Sequence, residues 1–548
     1  MKSFIKYITI VFITGALLNS CETTDLDLRV SPNDLAADQA DPNLLLTAIQ
    51  LAYATNMQVM SDLSAELTRI DYMFGRDYFN NYPGSTLNGV WARTYSSGGN
   101  GAGDFVSVGM LTNIQNLEAL NEDPDTDLSF HIGVAKVLYA HQLMLLVDFI
   151  GEAAFSQAGN PAEFPAPELD SGESVYNEAF NLLDEAEALL AGDPNPVGAV
   201  DIFYDEDTTK WVKLINTIRL KGYYTTNNQA AFNQVIAGGN YIETAEDDFY
   251  LQYGTSELQP DNRHPDFAAD YTPSGANIYQ SNWIMETMLN NNDPRIRYYF
   301  YRQSETTPGA DAPPDEETLA CSLAQPPQHY VDGGFTYCSV PNGYWGRSHG
   351  NDEGTPPDNF TRAAVGVYPA GGRFDDDSFG NVGLGLGGAG AGVEPIIMSS
   401  YVDFWQGYMA GDGAARKAFM LSGLTKSIET VQTFGGLDPN ADLDLEPSEA
   451  DVTAYLDAIG AAYDADPENV YAEQYFITMY GGSTEAWNYY RLTGAPNTLL
   501  PNWEANPGPF PSSFLLPQNE VITNPGLEQR TSLTTEVFWN PGGCPTCY

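Results

Sequence analysis

Between Arg69 and Trp91 the chain gathers Tyr72, Phe74, Tyr78, Tyr82 and Trp91 among Arg69, Asp71, Arg76, Asp77, Asn80 and Asn81. Aromatic rings stack on the apolar faces of sugars while amide, carboxylate and guanidinium groups take the hydroxyls; peptides use similar grooves with more backbone pairing. A second set, Tyr279, Trp283, Tyr344, Trp345 and Tyr368, lies in a later stretch rich in Gly, Pro, Asp and Asn. The candidate ligand-binding residues are therefore Tyr72, Phe74, Tyr78, Tyr82, Tyr279, Trp283, Tyr344, Trp345 and Tyr368. Trp211, Trp405 and Trp487 fall on helical stripes or within framework motifs, where a ring serves packing.

Other spacings imitate chemistry without its context. Gly346-Arg-Ser348-His-Gly350 fits G-x-S-x-G, but a nucleophile elbow needs a strand before it and a helix after, and Asn351-Asp-Glu-Gly-Thr-Pro-Pro follows instead. Gly383-Leu-Gly-Leu-Gly-Gly388 fits G-x-G-x-x-G without the helix that would hold a pyrophosphate, and reads as a tight turn. The five histidines, at 131, 141, 264, 329 and 349, form no H-E-x-x-H. No catalytic residue is assigned and the chain reads as a non-enzyme.

Calcium is the one metal the sequence suggests. Asp438, Asn440, Asp442, Asp444 and Glu449 reproduce the ligand spacing of a calcium loop, but Leu443 replaces the Gly of its sharp turn. Pro447 and Glu449 equally suit the acidic first turn of a helix, the reading we favour.

The first residues read as an export signal: Lys2 and Lys6, an apolar run from Ile8 to Leu18, then Leu-Asn-Ser-Cys ending at Cys21. Two readings stand. One is an ordinary signal cut near Ser20; the other, favoured by Leu18 and Ser20, is a lipobox with Cys21 as the acylated first residue. Four cysteines follow, and an even number in an exported chain suits two disulfides, Cys321 to Cys338 and Cys544 to Cys547. With 73 acidic and 23 basic residues the net charge is −50, a field that repels phosphate backbones and excludes nucleic acid as a partner.

The elements that must position these residues are mostly helical. From about 44 to 235 helices follow one another, with Val175, Ala179, Leu182, Leu183, Ala186 and Leu190 on one face of a single helix. Residues 131 to 150 are apolar almost all round, yet Lys136, His141 and Asp148 argue for a helix buried among others rather than a membrane span. Trp211, Leu214, Ile215 and Ile218 form a stripe, with Lys213 and Lys221 expected to face water. Residues 250 to 395 are loop-rich, the kind of segment that carries binding; helices resume near 395 to 432, 448 to 463, 469 to 480 and 483 to 491, and a Pro-rich tail follows.

Ordered motifs along nearly the whole mature chain resemble the SusD/RagB family, in its subfamily with a Gly-rich middle region. They are the stretch from Val137 to Glu152 around Gly151, Asp207-x-x-Lys210-Trp211-x-Lys213-x-x-Asn216, Asp293-Pro294-Arg295, and the run from Gly346 to Asp352. Tyr368-Pro-Ala-Gly-Gly-Arg373, Trp487-x-x-Tyr-Arg491-x-Thr-Gly-x-Pro496 and Leu516-Pro-x-x-Glu520-x-x-x-Asn524-Pro525 complete the series. Glu206 stands where that family usually has Gly. The resemblance implies a mainly all-α fold, a tetratricopeptide-like repeat scaffold with a large loop-rich insert as its ligand face. It also implies a SusC-like TonB-dependent outer-membrane β-barrel as partner, for which the chain would capture oligosaccharide, or oligopeptide as the alternative cargo, and act as a lid. Localisation would be the cell surface, anchored in the outer membrane only by lipid on Cys21. The expected divisions are a signal peptide at 1–20, a tether at 21–43, and a domain at 44–548 made of 44–245, 246–395 and 396–548.

Overall fold

The computed structural model describes residues 40–96, 108–192, 194–196, 198–306, 325–337, 340–353, 358–411 and 413–548. The signal segment, Cys21, Cys321 and Cys338 lie outside the described residues.

Helix formation follows the capping chemistry of the sequence. Helix α1 runs Pro42–Leu67, α2 Asn88–Tyr95, α3 Met110–Leu120 and α4 Ser129–Ile150. The last stops at Gly151, whose φ of +83° is a conformation that costs glycine little. Ser171 caps α5 (Gly172–Leu190) by accepting from the Ser174 amide, and Asp207 caps α6 (Thr208–Thr225) by accepting from Thr209 and Lys210. The series continues with α7 Gln229–Gly238, α8 Asn282–Asn290, α9 Ser399–Ala410, α10 Ala414–Gln432, α11 Glu449–Ala465, α12 Pro467–Thr478 and α13 Ala486–Thr493.

Helix α4 is apolar all round because it has neighbours all round: α1, α3, α5 and α6 pack against it. It is long and apolar enough to cross a membrane, but nearly all of it is buried inside the protein. His141 survives there because its Nδ1 pairs with the Tyr53 hydroxyl at 2.6 Å. The α5 stripe is buried at Val175, Ala179, Leu183, Ala186 and Leu190. Trp211 is fully buried, its indole donating to Asp201 at 2.7 Å, and Trp405 and Trp487 are core residues as well.

Lys221 overturns the expectation that it faces water. It is fully buried and ion-paired to Asp148 of α4 and, at 3.5 Å, to Glu485 beside α13. Asp148 also accepts from the Tyr176 hydroxyl of α5 at 2.5 Å, from Asn488 of α13 at 2.9 Å and from the Trp539 indole of the tail at 2.9 Å. One carboxylate thus joins the amino-terminal helices to the end of the chain. Lys213, expected beside it in water, is only partly exposed and pairs with Asp247 at 2.7 Å.

The loop-rich region is folded by short pairings. Among the described residues eight short strands form four two-stranded sheets, three of them here; the longest pair is Phe249–Gln252 with Val393–Ile397, antiparallel with a bulge at Phe249/Tyr250. Asp293-Pro294-Arg295 lies inside it. The fully buried Arg295 binds Asp293 at 2.6 Å and donates to Ser427 of α10 and Thr478 of α12, each at 3.0 Å. Just before the strand Val393–Ile397, a Cβ on Gly392 would stand 1.9 Å from the Pro369 carbonyl oxygen, which accepts the Val393 amide at 2.8 Å. Gly392→Ala must displace that backbone, and we expect a loss of about 1–3 kcal/mol in urea unfolding followed by circular dichroism. A loss under ~0.5 kcal/mol would show the contact to be relieved without strain.

Candidate functional site

Six of the nine expected ligand-binding aromatics are core residues. Tyr78, Tyr82, Trp283, Tyr344, Trp345 and Tyr368 are all nearly inaccessible. Tyr78 meets the Arg69 guanidinium through its hydroxyl at 3.2 Å and Phe510 edge-on at 5.6 Å. Tyr82 donates to Glu66 at 3.0 Å and packs edge-on to Phe514. Trp283 lies against Phe476, Tyr344 under the Arg302 guanidinium at 4.9 Å, and Tyr368 stacks on Tyr299 at 5.5 Å. Where helices are few, the loops must build their own core, and large rings fill it.

Of the remaining three, Tyr72 and Tyr279 stand together. Tyr72 and Tyr279, from loops more than two hundred residues apart, meet edge to face with ring centroids 5.8 Å apart. Tyr279 is fixed by the guanidinium groups of Arg347 and Arg362, 4.2 and 3.8 Å from its centroid, and by its hydroxyl, which donates to Asp358 at 2.8 Å. Tyr72 donates through its hydroxyl to the Asn351 carbonyl. Phe74, two residues beyond Tyr72, leaves 64% of its surface in water, and Phe79 leaves 47%.

Both tyrosines line a cleft of about 180 Å³ with Asp62, Glu66, Asp71, Asp266, Glu394, Gln280, Pro369 and Tyr480. Burial, followed by the charges of Asp266 and Glu66, pushes the Asp71 carboxyl up to about 8; burial pushes Glu66 up to about 7 against the hydrogen bond from Tyr82. Glu394 is raised well above the usual range by burial and then by Asp62, Asp266 and Asp71. None of these carboxylates was singled out from the sequence except Asp71. Asp62 and Glu66 carried a signal, since like charges four apart on one helix repel and ask for a reason.

Two larger cavities lie elsewhere. One of about 600 Å³ is lined by Arg297, Arg302, Tyr344, Asp377, Asp444 and Glu446, but its arginines are already paired, Arg302 with Asp375 and Asp377 and Arg297 with Asp377. The other, about 320 Å³, presents Tyr250, Tyr368, Phe434 and Gln252.

The acidic run is spent on local structure, and its carboxylates do not form a calcium cage. Asp438 accepts from the amides of Asn440 and Phe374, Asp442 caps the turn Leu443–Leu445, and Glu449 opens α11, which Ser448 and Asp451 cap reciprocally. Among the described residues no group of three or more His, Cys, Asp or Glu could hold a metal ion. Ser348 is buried and donates to the carbonyls of Thr336 and Tyr337, while His349 beside it turns to Tyr78, so the pair cannot act as nucleophile and base. The Gly383–Gly388 stretch ends against Gly372, the Gly388 amide donating to the Gly372 carbonyl at 3.0 Å. Cys544 and Cys547 are joined by a disulfide.

Comparison with known proteins gives a consistent picture. The SusD-like family model, described as starch-binding and associating with the outer membrane, matches residues 32–312. A SusD/RagB family protein from Bacteroides thetaiotaomicron superposes with a TM-score of 0.62 at 16% identity, covering 92% of this chain and 99% of that one. A SusD homolog from Bacteroides uniformis gives 0.58 at 16% identity over 92% and 100%. A chitin-binding SusD homolog from Flavobacterium johnsoniae gives 0.55 at 16% identity over 91% and 99%. At these identities the likeness shows the fold. No curated protein matches the chain.

Proposed function

Because this chain belongs to the SusD-like family, whose description is starch-binding and associating with the outer membrane, we propose that it is a non-catalytic binding protein that captures oligosaccharide at the cell surface. The observation that carries this reading is the edge-to-face pair Tyr72 and Tyr279 in the wall of a polar cleft, with the exposed ring of Phe74 two residues beyond Tyr72. Rings of this kind supply sugar faces with contact, and the amide and carboxylates of the cleft supply hydroxyl partners.

In this reading Cys21 carries the lipid anchor, residues 21–43 form the tether, and the domain beyond has 246–395 as its recognition region. A SusC-like TonB-dependent barrel receives the cargo. Binding closes the protein over that barrel, and the cargo can drive closure only by as much as it prefers the closed state. The chitin-binding relative supports glycan cargo by analogy of fold. An oligopeptide is the second reading, favoured by the net charge of −50, which attracts basic peptides.

The test is isothermal titration against plant and algal oligosaccharides and a mixed peptide digest, with product analysis after each run. Saturable heat with one glycan class and no shortened product is the expected result. Silence with every glycan and heat with the digest moves the cargo to peptides, and turnover of any ligand overturns the non-catalytic role.

A further inference from the structure

The ribbon formed by Phe249–Gln252 and Val393–Ile397 has a cavity on each face. Leu251 pairs with Glu394 and Gln252 with Val393 across the two strands, and successive side chains of a strand point to opposite faces. Glu394 accordingly lines the cleft of Tyr72 and Tyr279, while Tyr250, Gln252 and Val393 line the cavity of about 320 Å³. The adjoining segment divides in the same way, Ala370 to the cleft and Tyr368 to the cavity. Thr430 of α10, with Thr433 and Phe434 just beyond that helix, contributes a further wall.

Two of the rings in this cavity keep part of their surface. Tyr250 and Phe434 are only partly buried, from elements distant in the chain. Phe434 is held edge-on to Tyr368 with centroids 4.9 Å apart, and Tyr368 is fixed in turn by stacking on Tyr299.

Polar groups reach the same space from side chains more than nine-tenths buried. Tyr368 is 3% exposed, and its hydroxyl makes no hydrogen bond among the described residues, yet that oxygen is not one of the partnerless polar atoms sealed from water. A phenol so placed needs a partner from the space it lines. Asp248, 5% exposed, gives Oδ1 to the Ser399 amide at 2.6 Å, and a carboxylate has about four acceptor sites, so most of its capacity remains. Burial lifts its carboxyl to about 6, which leaves it ionised at pH 7.5. Gln252 spends its amide N–H groups on the carbonyls of Tyr253, Ala391 and Gly392, and its Oε1 remains an acceptor.

The occupant these groups fit is neutral and rich in hydroxyls. A cation would meet Asp248 alone, since no other acid lines the cavity among the described residues. An anion would be repelled by Asp248, and Lys426, whose field reaches that carboxylate, is already paired with Asp403 at 2.8 Å. A wholly apolar ligand would leave Asp248 and Tyr368 without partners. A sugar ring satisfies every group: its C–H face rests on an aromatic ring, while its hydroxyls donate to Asp248 and Gln252 and accept from Tyr368. A cavity of about 320 Å³ has room for about ten waters at ~30 Å³ each, which places it at the small end of ligand sites.

We propose that this cavity is a second glycan site, seating a neutral sugar unit against Tyr250 and Phe434 with Asp248, Gln252 and Tyr368 as its hydroxyl partners. It rests on the binding role argued above for the class of cargo, and on its own residues for the place. The two faces of one ribbon then serve two sites, and one copy of the protein takes two short oligosaccharides.

The experiment is titration at pH 7.5 with the same plant and algal oligosaccharides and peptide digest, in the parent and in Tyr72→Ala combined with Phe74→Ala. Tyr368→Phe and Thr433→Trp are then each added to both backgrounds. Tyr368→Phe deletes a hydroxyl that no protein group uses, so it should melt no lower than the parent. Thr433 is exposed and its hydroxyl bonds only the Thr430 carbonyl of its own turn, so a Trp there obstructs the cavity without removing packing. We expect two molecules of one glycan per parent chain, one of them kept in the Tyr72 and Phe74 background. Tyr368→Phe should weaken that retained binding at least tenfold, and Thr433→Trp should abolish it. Retained binding that neither change weakens, or none retained at all, overturns the second site and leaves the Tyr72 cleft standing. A single glycan per chain, lost in Thr433→Trp and indifferent to Tyr72 and Phe74, supports this cavity and overturns the cleft. Peptide heat alone, lost in Thr433→Trp, overturns the sugar, and silence of the parent with every glycan overturns both sites.

Discussion

Lys221→Met should cost the protein about 3–5 kcal/mol in urea unfolding, the largest loss expected from any single substitution discussed for this chain. The change deletes the ammonium that is ion-paired with both Asp148 and Glu485 in a region closed to water. Burial lowers the Lys221 ammonium, but Asp148 and Glu485 outweigh it and hold the group above its ordinary value. Glu485 is pushed up by burial even with Lys221 in place, so it is the group that must take a proton when the ammonium is gone. Lys213→Met is the contrast, because that lysine is partly exposed, and exposed pairs contribute about 0.2–1 kcal/mol. If the two variants lose the same amount, the buried cluster is not what secures the helices.

Phe74→Ala combined with Tyr72→Ala should weaken glycan binding by at least about thirtyfold, the loss expected from one anchor alone. Truncating an aromatic anchor commonly costs ~2 kcal/mol, and ~1.4 kcal/mol is tenfold in Kd. Phe74 is well exposed, so its removal alone should leave the melting temperature in place and separate recognition from folding. Removing Tyr279 cannot make that separation, since two arginines and Asp358 are fastened to it. Unchanged Kd in the double variant would move the site to the cavity that presents Tyr250 and Phe434.

What could be read in the sequence was whatever local spacing determines. Helix α4 was legible because its apolar residues cover every face, and the α5 stripe because Val175, Ala179, Leu183 and Ala186 recur at the helical period. Lys221 was misread although its spacing was right: it lies three residues beyond Ile218, on the buried stripe, and only its charge argued for water. Its partners are 73 and 264 residues away, beyond any local pattern. The loop aromatics failed for another reason, since a segment without periodicity offers no way to tell a ring that fills the interior from one that faces solvent. Tyr72 and Tyr279 were both marked, but nothing in the chain said they would touch. The convergence of Asp62, Asp266 and Glu394 is equally a product of the tertiary fold.

The cluster around Asp148 bears on how such a chain can diverge. Its atoms come from α4, α5, α6, from the start of α13 and from Trp539, and residues 250–395 contribute none of them. Helices α4 to α6 and the carboxy-terminal segment from Glu485 are latched to each other and must change in concert, since altering one partner strands a charge in the other. The stretch between them owes nothing to that latch, so its loops can vary in sequence while the frame that carries them stays shut.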